Sequence, residues 1–321
     1  MGLLFYQYPN TQLAYAHTFS GDESAAFIAT VGVLRTEIRL VDSTVATNAS
    51  LANEHAKIAA EHLSENDTSE LTERNERIGT DLPQYLSDLQ NMTTNLSPTN
   101  TTGITAIKQK VSDTDALLSE ALTVRIEPTE LKNATINAWA VADLLNETLE
   151  RYGEALGIAE ENLSASSAAI DTDPIDMSTN AEISATSTNG SSMSNNMTAN
   201  IANYADYQST QGLVNMTEEM LNQIESLMGI NSSTITSVDS STNTSTTMGN
   251  TTTDSSALSK VYDDVNELKS LIDNKSSYTR VATFIYDTIY PDLNTAFGVG
   301  LESVDVTEAI EEARSGTEEQ E

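Results

Sequence analysis

The sequence predicts an all-α protein, an antiparallel helical bundle with long disordered loops rich in Ser, Thr and Asn. Three observations support this fold class. Apolar residues recur every three or four positions along most of the chain, which is typical of amphipathic helices, and no segment alternates as a strand does. Two segments, 164–195 and 231–256, are too polar to bury the apolar surface that would offset their ordering entropy. Cysteine is absent, so no disulfide framework can take the place of a core.

The pattern in the first half of the sequence predicts an N-terminal helical bundle over residues 20–163. Short links between its helices favour antiparallel neighbours. Ser20 and Glu23 match a capping box in front of the first helix, whose apolar face runs to Val45. Pro83 is expected to kink or divide the third helix, and Pro128 to occupy the first turn of the fifth, which contains Trp139. The expected spans of helices two to four are 49–64, 69–91 and 104–122, with a loop over 91–103.

The second half predicts C-terminal helices over residues 196–310, arranged around a flexible loop at 231–256. One helix is expected over 201–228, and a long final helix over 258–290 that Pro291 should stop. Residues 164–195 are predicted to be a flexible linker and residues 311–321 an acidic tail. The sequence leaves open whether the two halves share one bundle or form two subdomains.

Residues 1–19 are predicted to be either a clipped signal peptide or a disordered tail. Ala14-Tyr15-Ala16 matches the A-x-A pattern of a signal peptidase site, but no positive segment precedes it and the apolar stretch at residues 3–5 is too short for a complete signal. No apolar run approaches the ~18 residues that a membrane helix needs. The sequence therefore predicts no membrane span.

The charge balance restricts the classes of partner. The chain has 15 Lys and Arg against 48 Asp and Glu, a formal net charge of −33, and no Lys or Arg lies between Tyr152 and Ser259. Nucleic-acid binding requires basic side chains that displace counterions from phosphates, so no nucleic-acid partner is predicted. A surface this acidic is also typical of proteins that stay solvated in a salty habitat.

Asn-x-Ser/Thr triplets are the strongest signal in the chain. With 26 Asn and 77 Ser and Thr among 321 residues, chance would give about six such triplets, whereas the sequence contains 15. The excess predicts N-glycan acceptors on a secreted surface, although the same residues also accumulate together in low-complexity loops. The predicted glycosylation sites are Asn48, Asn66, Asn91, Asn95, Asn100, Asn133, Asn146, Asn162, Asn189, Asn196, Asn215, Asn231, Asn243, Asn250 and Asn274.

The three histidines are the candidate metal ligands. His55 and His62 are seven residues apart on the apolar face of the second helix, which predicts core or rim histidines satisfied by neighbours. The competing hypothesis is copper binding. Cleavage after Ala16 would make His17 the N-terminus, where its amine and imidazole could chelate Cu(II), with His55 or His62 as a further ligand. The sequence contains no recognisable nucleophile, zinc-protease or phosphate-loop motif, so we predict no enzyme and no required cofactor.

Several stretches resemble exported helical proteins of ammonia-oxidising archaea: AYAHTF, SGDESAAFIATVGVLRTEIRL, LANEHAKIAAEHL, NATINAWAVADLLNETLERYGEAL and PDLNTAF. The resemblance covers residues 14–160 and 291–297. It implies export, N-glycosylation and a cell-surface or pseudoperiplasmic location, and it implies no activity. LANEHAKIAAEHL also resembles small copper-binding helical bundles, which have many more histidines.

These observations together predict an exported, N-glycosylated helical bundle of the cell surface with a structural or interaction role. Its partner would be another protein or a component of the cell envelope. A secreted copper-binding helical protein is the alternative.

Overall fold

The computed structural model of the protein describes residues 21–97, 99–158, 199–229 and 255–301. These ranges contain helices and turns and no strand, which confirms the predicted all-α class. A short π-helical turn, Ile285–Ile289, joins the last two helices. The helices are α1 (Gly21–Thr44), α2 (Ala49–His62), α3 (Glu65–Arg74), α4 (Glu76–Thr93), α5 (Thr101–Arg125), α6 (Ala134–Ala155), α7 (Tyr204–Leu227), α8 (Ser255–Asp273), α9 (Tyr278–Phe284) and α10 (Tyr290–Phe297).

Helix α1 lies at the centre of the bundle and packs against α2, α5, α6 and α7. Its apolar face is almost completely buried, as the 3–4 spacing of its residues predicts. Helix α4 packs on α2, α3 and α5, and α8 packs on α7 and α10. Helix α7 lies along α6 and α1, and the buried apolar side chains from both halves of the chain join one cluster.

Asparagine is the N-cap residue of five of the ten helices in the described ranges. The side-chain Oδ1 of such an N-cap residue accepts a hydrogen bond from a backbone N–H of the first turn, which otherwise has no partner. Asn100 caps α5 in this way, so α5 begins at Thr101 and the predicted loop over 91–103 is shorter than expected. Asn133 caps α6 at Ala134. The prediction that Pro128 starts this helix is therefore wrong, and Pro128 begins a separate turn instead.

The expected third helix is divided at Asn75 and not at Pro83. Asn75 ends α3 with its backbone N–H bonded to the Leu71 carbonyl, and its side chain caps α4 at Ile78. One residue thus serves both helix ends. Helix α4 continues through Pro83, so of the two predicted effects, a kink or a division, this proline does not produce the division.

The expected long final helix is also interrupted elsewhere than predicted. Lys275 has a φ of 53°, which ends α8, and the Ser277 side chain caps α9. Pro291 does not stop the helical path as predicted. It occupies the first turn of α10, where its missing N–H has no carbonyl partner to lose. The π turn just before it is closed by a bond from the Tyr290 N–H to the Ile285 carbonyl. The wider turn lets the helical path continue past the proline.

Several predicted segments lie outside the described residues. These are the tail over 1–19, Ser20 of the capping box, the linker over 164–195 and the acidic tail over 311–321. Most of the predicted loop over 231–256 is also outside, although Ser255 and Ser256 begin α8.

Trp139 of α6 joins the two ends of the described structure. A Cβ on Gly21, the first residue of α1, would lie 2.9 Å from the indole ring. The indole N–H donates to the Val299 carbonyl at 2.7 Å, just after α10. Asn294 holds the same final segment by accepting from the Leu301 N–H at 2.6 Å. The start of α1 and the end of the described chain therefore meet at one side chain.

Candidate functional site

A buried polar group between α1, α2 and α7 is the most unusual feature of the core. His55 Nδ1 lies 2.9 Å from Glu37 Oε2, and His55 Nε2 lies 3.1 Å from Gln208 Oε1. The side chains of His55 and Glu37 are both fully buried. Both ring nitrogens face side-chain oxygen atoms of neighbouring helices, Glu37 of α1 and Gln208 of α7. Glu37 Oε1 is buried and has no hydrogen-bond partner in the described parts of the chain.

Small residues bring these polar side chains together. Ala52, Ala56 and Ala59 of α2 are fully buried and allow its backbone to approach α1 closely. His55 lies between them on the same helix face, as the sequence predicts. Glu37 interrupts the apolar face of α1 between Leu34 and Ile38, where it meets the imidazole.

A second polar group lies around Arg151 of α6. Its guanidinium is 2.9 Å from both Glu147 and Glu154 and 3.8 Å from Asp206 of α7. Burial opposes the charge of Arg151, but the surrounding carboxylates, Glu147 foremost, outweigh it and raise its pKa. Burial, and then the neighbouring Glu154 carboxylate, raises the pKa of Asp206 to about 6. The cation therefore neutralises only part of the negative charge around it.

His62 lies at the edge of this second group. Its Nδ1 is 3.8 Å from Glu147 Oε1, and its side chain is 19% exposed. Burial is the main cause that lowers its pKa, and the Glu147 carboxylate opposes this effect. His62 is thus a rim histidine and His55 a core histidine, both with protein neighbours, as the apolar spacing predicts.

Of the three candidate copper ligands, the structure describes His55 and His62, and it does not bring these two together. Both ring nitrogens of His55 already face side chains of the protein, and His62 lies one heptad further along α2, ~10 Å away along the helix axis. Among the described residues, no three His, Cys, Asp or Glu side chains gather in a way that could hold a metal ion. His17 lies outside the described residues.

Nine of the predicted glycosylation sites lie within the described ranges, and the asparagine of every one of them is exposed. Three are helix N-caps and four lie within helices, so the triplets are not confined to polar loops. Asn162, Asn189, Asn196, Asn231, Asn243 and Asn250 lie outside the described residues. The nine described sites are Asn48, Asn66, Asn91, Asn95, Asn100, Asn133, Asn146, Asn215 and Asn274.

Most of these side chains use the amide oxygen for their structural role. The N-caps Asn48, Asn100 and Asn133 accept from backbone N–H groups through Oδ1. Asn146 Oδ1 accepts from the Tyr290 hydroxyl at 2.6 Å, and Asn215 Oδ1 accepts from Lys269 Nζ at 2.7 Å. N-glycans are attached to Nδ2, so these five contacts are compatible with modification.

Sequence analysis missed most of the buried polar side chains. Glu37 could have been found, because its spacing from Leu34 and Ile38 places it at the edge of the apolar face of α1. Gln208 could not, because it meets His55 only when α7 packs against α2. Arg151 could have been found in part, because Glu147 and Glu154 lie four residues before and three residues after it on α6, whereas Asp206 reaches it from α7.

Comparison with protein-family models, with curated proteins and with solved structures gives no match to this chain. Among the described helices, none is long and apolar enough to cross a membrane.

Proposed function

We propose that the protein is an exported, N-glycosylated helical bundle of the cell surface with a structural or interaction role. The observation that carries the proposal is the exposure of the asparagine at all nine described Asn-x-Ser/Thr triplets. Exposure alone is common for asparagine. The exposure supports the proposal because the chain also contains more than twice as many triplets as chance would give.

The charge distribution supports an interaction role over an enzymatic one. Around the buried core, Arg151 is held by ion pairs to Glu147 of its own helix and to Asp206 of α7, and His62 of α2 lies beside the same Glu147. The Glu37–His55 pair is fully buried. These groups stabilise the helix packing and offer no exposed nucleophile. The outer surface would present carboxylates and glycans to a protein or cell-envelope partner.

Mass spectrometry of protein purified from its native host tests the proposal. We expect the intact mass to fall after chemical deglycosylation, and peptides produced by a Glu-specific protease to carry sugar at most of the triplets. Trypsin is unsuitable, because no Lys or Arg lies between Tyr152 and Ser259. The same chain made in a bacterial cytoplasm is the control. An unchanged mass after deglycosylation of the native protein would contradict the proposal.

A further inference from the structure

Three described triplets have their asparagine on the surface and their threonine in the core. They begin at Asn91, Asn146 and Asn215, which are all exposed. The corresponding Thr93 is 1% exposed, and Thr148 and Thr217 are 0% exposed. In a helix, each residue is rotated by ~100° from the previous one, so positions i and i+2 lie on nearly opposite faces. Helical geometry therefore separates the two side chains of each triplet.

The threonine hydroxyls of these triplets are also occupied. Each donates to the backbone carbonyl four residues earlier. The acceptors are Leu89 at 2.9 Å for Thr93, Leu144 at 2.7 Å for Thr148 and Leu213 at 3.0 Å for Thr217. An enzyme approaching the folded protein would meet the asparagine without the hydroxyl.

Triplets at helix starts are arranged differently. Asn48 and Asn100 are N-caps outside the helix, and the hydroxyl residues two positions later, Ser50 and Thr102, are exposed. Both side chains of these two triplets are therefore accessible in the folded protein.

N-glycosylation depends on both side chains of the triplet. The asparagine Nδ2 attacks the anomeric carbon of a sugar carried on a lipid diphosphate. A C–N bond forms, the C–O bond to the diphosphate breaks, Nδ2 loses one proton and the lipid diphosphate leaves. Since acceptors are defined by Ser or Thr at the third position, the enzyme must also contact that hydroxyl.

We propose that Asn91, Asn146 and Asn215 are acceptors only before α4, α6 and α7 fold, whereas Asn48 and Asn100 remain acceptors in the folded protein. This inference rests on the proposed glycosylation. It adds an order of events, because sugar must be transferred to the three helical triplets before the bundle forms. Folding can then follow, since Asn146 and Asn215 engage Tyr290 and Lys269 through Oδ1 and not through the modified Nδ2.

The test uses full-length, unglycosylated chain, a purified oligosaccharyltransferase and a lipid-linked oligosaccharide donor. One arm contains the folded protein. The other contains a full-length variant kept unfolded by Leu34→Asp and Leu118→Asp, which place carboxylates at fully buried positions outside the five triplets. Circular dichroism verifies both states, and Glu-specific peptides report the occupancy of each site. Ser50→Ala, which should abolish transfer to Asn48 in both arms, verifies that the enzyme reads the hydroxyl.

In the folded arm, we expect transfer to Asn91, Asn146 and Asn215 to be at least about tenfold slower than to Asn100, because it requires local opening of a packed helix. In the unfolded arm, the rates of transfer to Asn91, Asn100, Asn146 and Asn215 should be similar. Equal rates in the folded arm would overturn the inference, and so would a lack of transfer to the three sites in the unfolded arm. The outcome is separate from that of the native-host experiment, because the enzyme and donor are supplied.

Discussion

His55 and Glu37 are joined by a hydrogen bond, and both side chains are fully buried. Burying two polar side chains costs free energy that their mutual contact only partly offsets, but removing one partner leaves the other buried without that contact. The loss of one partner should therefore be more destabilising than the replacement of both by apolar side chains.

We expect His55→Ala to lower the free energy of unfolding by about 3–5 kcal/mol, because it leaves the Glu37 carboxylate in the core without its partner. The double substitution Glu37→Leu with His55→Leu should be more stable than His55→Ala, since it leaves neither polar side chain buried without its partner. Urea denaturation followed by circular dichroism measures both. As a control, Glu219→Ala breaks an exposed pair with Arg39 and should change stability by less than about 1 kcal/mol. A double variant less stable than His55→Ala would contradict this account.

Asp206 is a buried carboxyl group whose charge opposes folding. Burial raises its pKa to about 6 from an ordinary value of 3.8. Its charged form is thus disfavoured in the folded protein. That cost is fully present above pH ~6 and disappears below pH ~4, where the carboxyl is protonated in both states. We expect Asp206→Asn to raise the free energy of unfolding at pH 8 by about 1 kcal/mol, with the difference vanishing toward pH 4.

Asp88→Asn provides a control of opposite sign for this pH series. Hydrogen bonds from Gln84 and Lys110 lower the pKa of Asp88, so its charged form stabilises the fold. This substitution should therefore be destabilising at pH 8 and neutral at low pH. A constant difference between Asp206→Asn and wild type across the pH range would show that ionisation of Asp206 is not responsible.

Among the helices, the close approach of α3 and α4 depends on Gly79. A Cβ at this position would lie 2.5 Å from the backbone nitrogen and 2.6 Å from the Cα of Thr72. Backbone atoms cannot move aside as a flexible side chain does. The glycine therefore allows the two helices that meet at Asn75 to pack side by side.

We expect Gly79→Ala to lower the free energy of unfolding by about 2–4 kcal/mol, although alanine is favoured over glycine in a helix by ~1 kcal/mol. The matched control is Gly32→Ala in α1, where the new Cβ would meet only the side chains of Leu144 and Met216 at 3.2–3.4 Å. That change should stay within about 1 kcal/mol. Thermal unfolding of the two variants decides between them. If both lost the same stability, backbone contact at Gly79 would not be the cause.

The sequence predicted the position of a helix well where one apolar face determines it. The spacing along α1, α2 and α6 was sufficient, because their buried residues recur at 3–4 positions. The predicted helix bounds were wrong where an N-cap or a tertiary contact determines where a helix begins or ends. Asn75 lies inside the predicted third helix over 69–91, yet it ends one helix and caps the next. Pro291 looked like a terminator, but the π turn before it lets the helical path continue.

On the scale of the whole molecule, the net charge of −33 opposes folding by self-repulsion. Salt shortens the range of this repulsion, with a screening length that falls from ~20 Å at about 20 mM to ~4 Å at about 500 mM. The exposed ion pairs weaken over the same range, but each contributes little. Screening of the like charges should therefore dominate.

We expect the melting temperature to rise by about 5 °C between 20 mM and 500 mM NaCl, as measured by scanning calorimetry. Choline chloride at the same ionic strength should give a similar rise, because screening depends on ionic strength and not on the identity of the cation. A rise with NaCl alone would point to bound sodium. A fall with both salts would show that attractive ion pairs outweigh the repulsion.

The meeting of Gly21 and Val299 at Trp139 has a mechanical consequence. The two ends of the described chain are neighbours, so a force applied through them would act directly on the contacts at this one indole. Such a pull opens contacts one after another from a single point, whereas ends at opposite poles would load many contacts in parallel. A pull applied between Gly21 and Val299 should therefore break the contacts at Trp139 before it reaches the buried centre of α1 and α2.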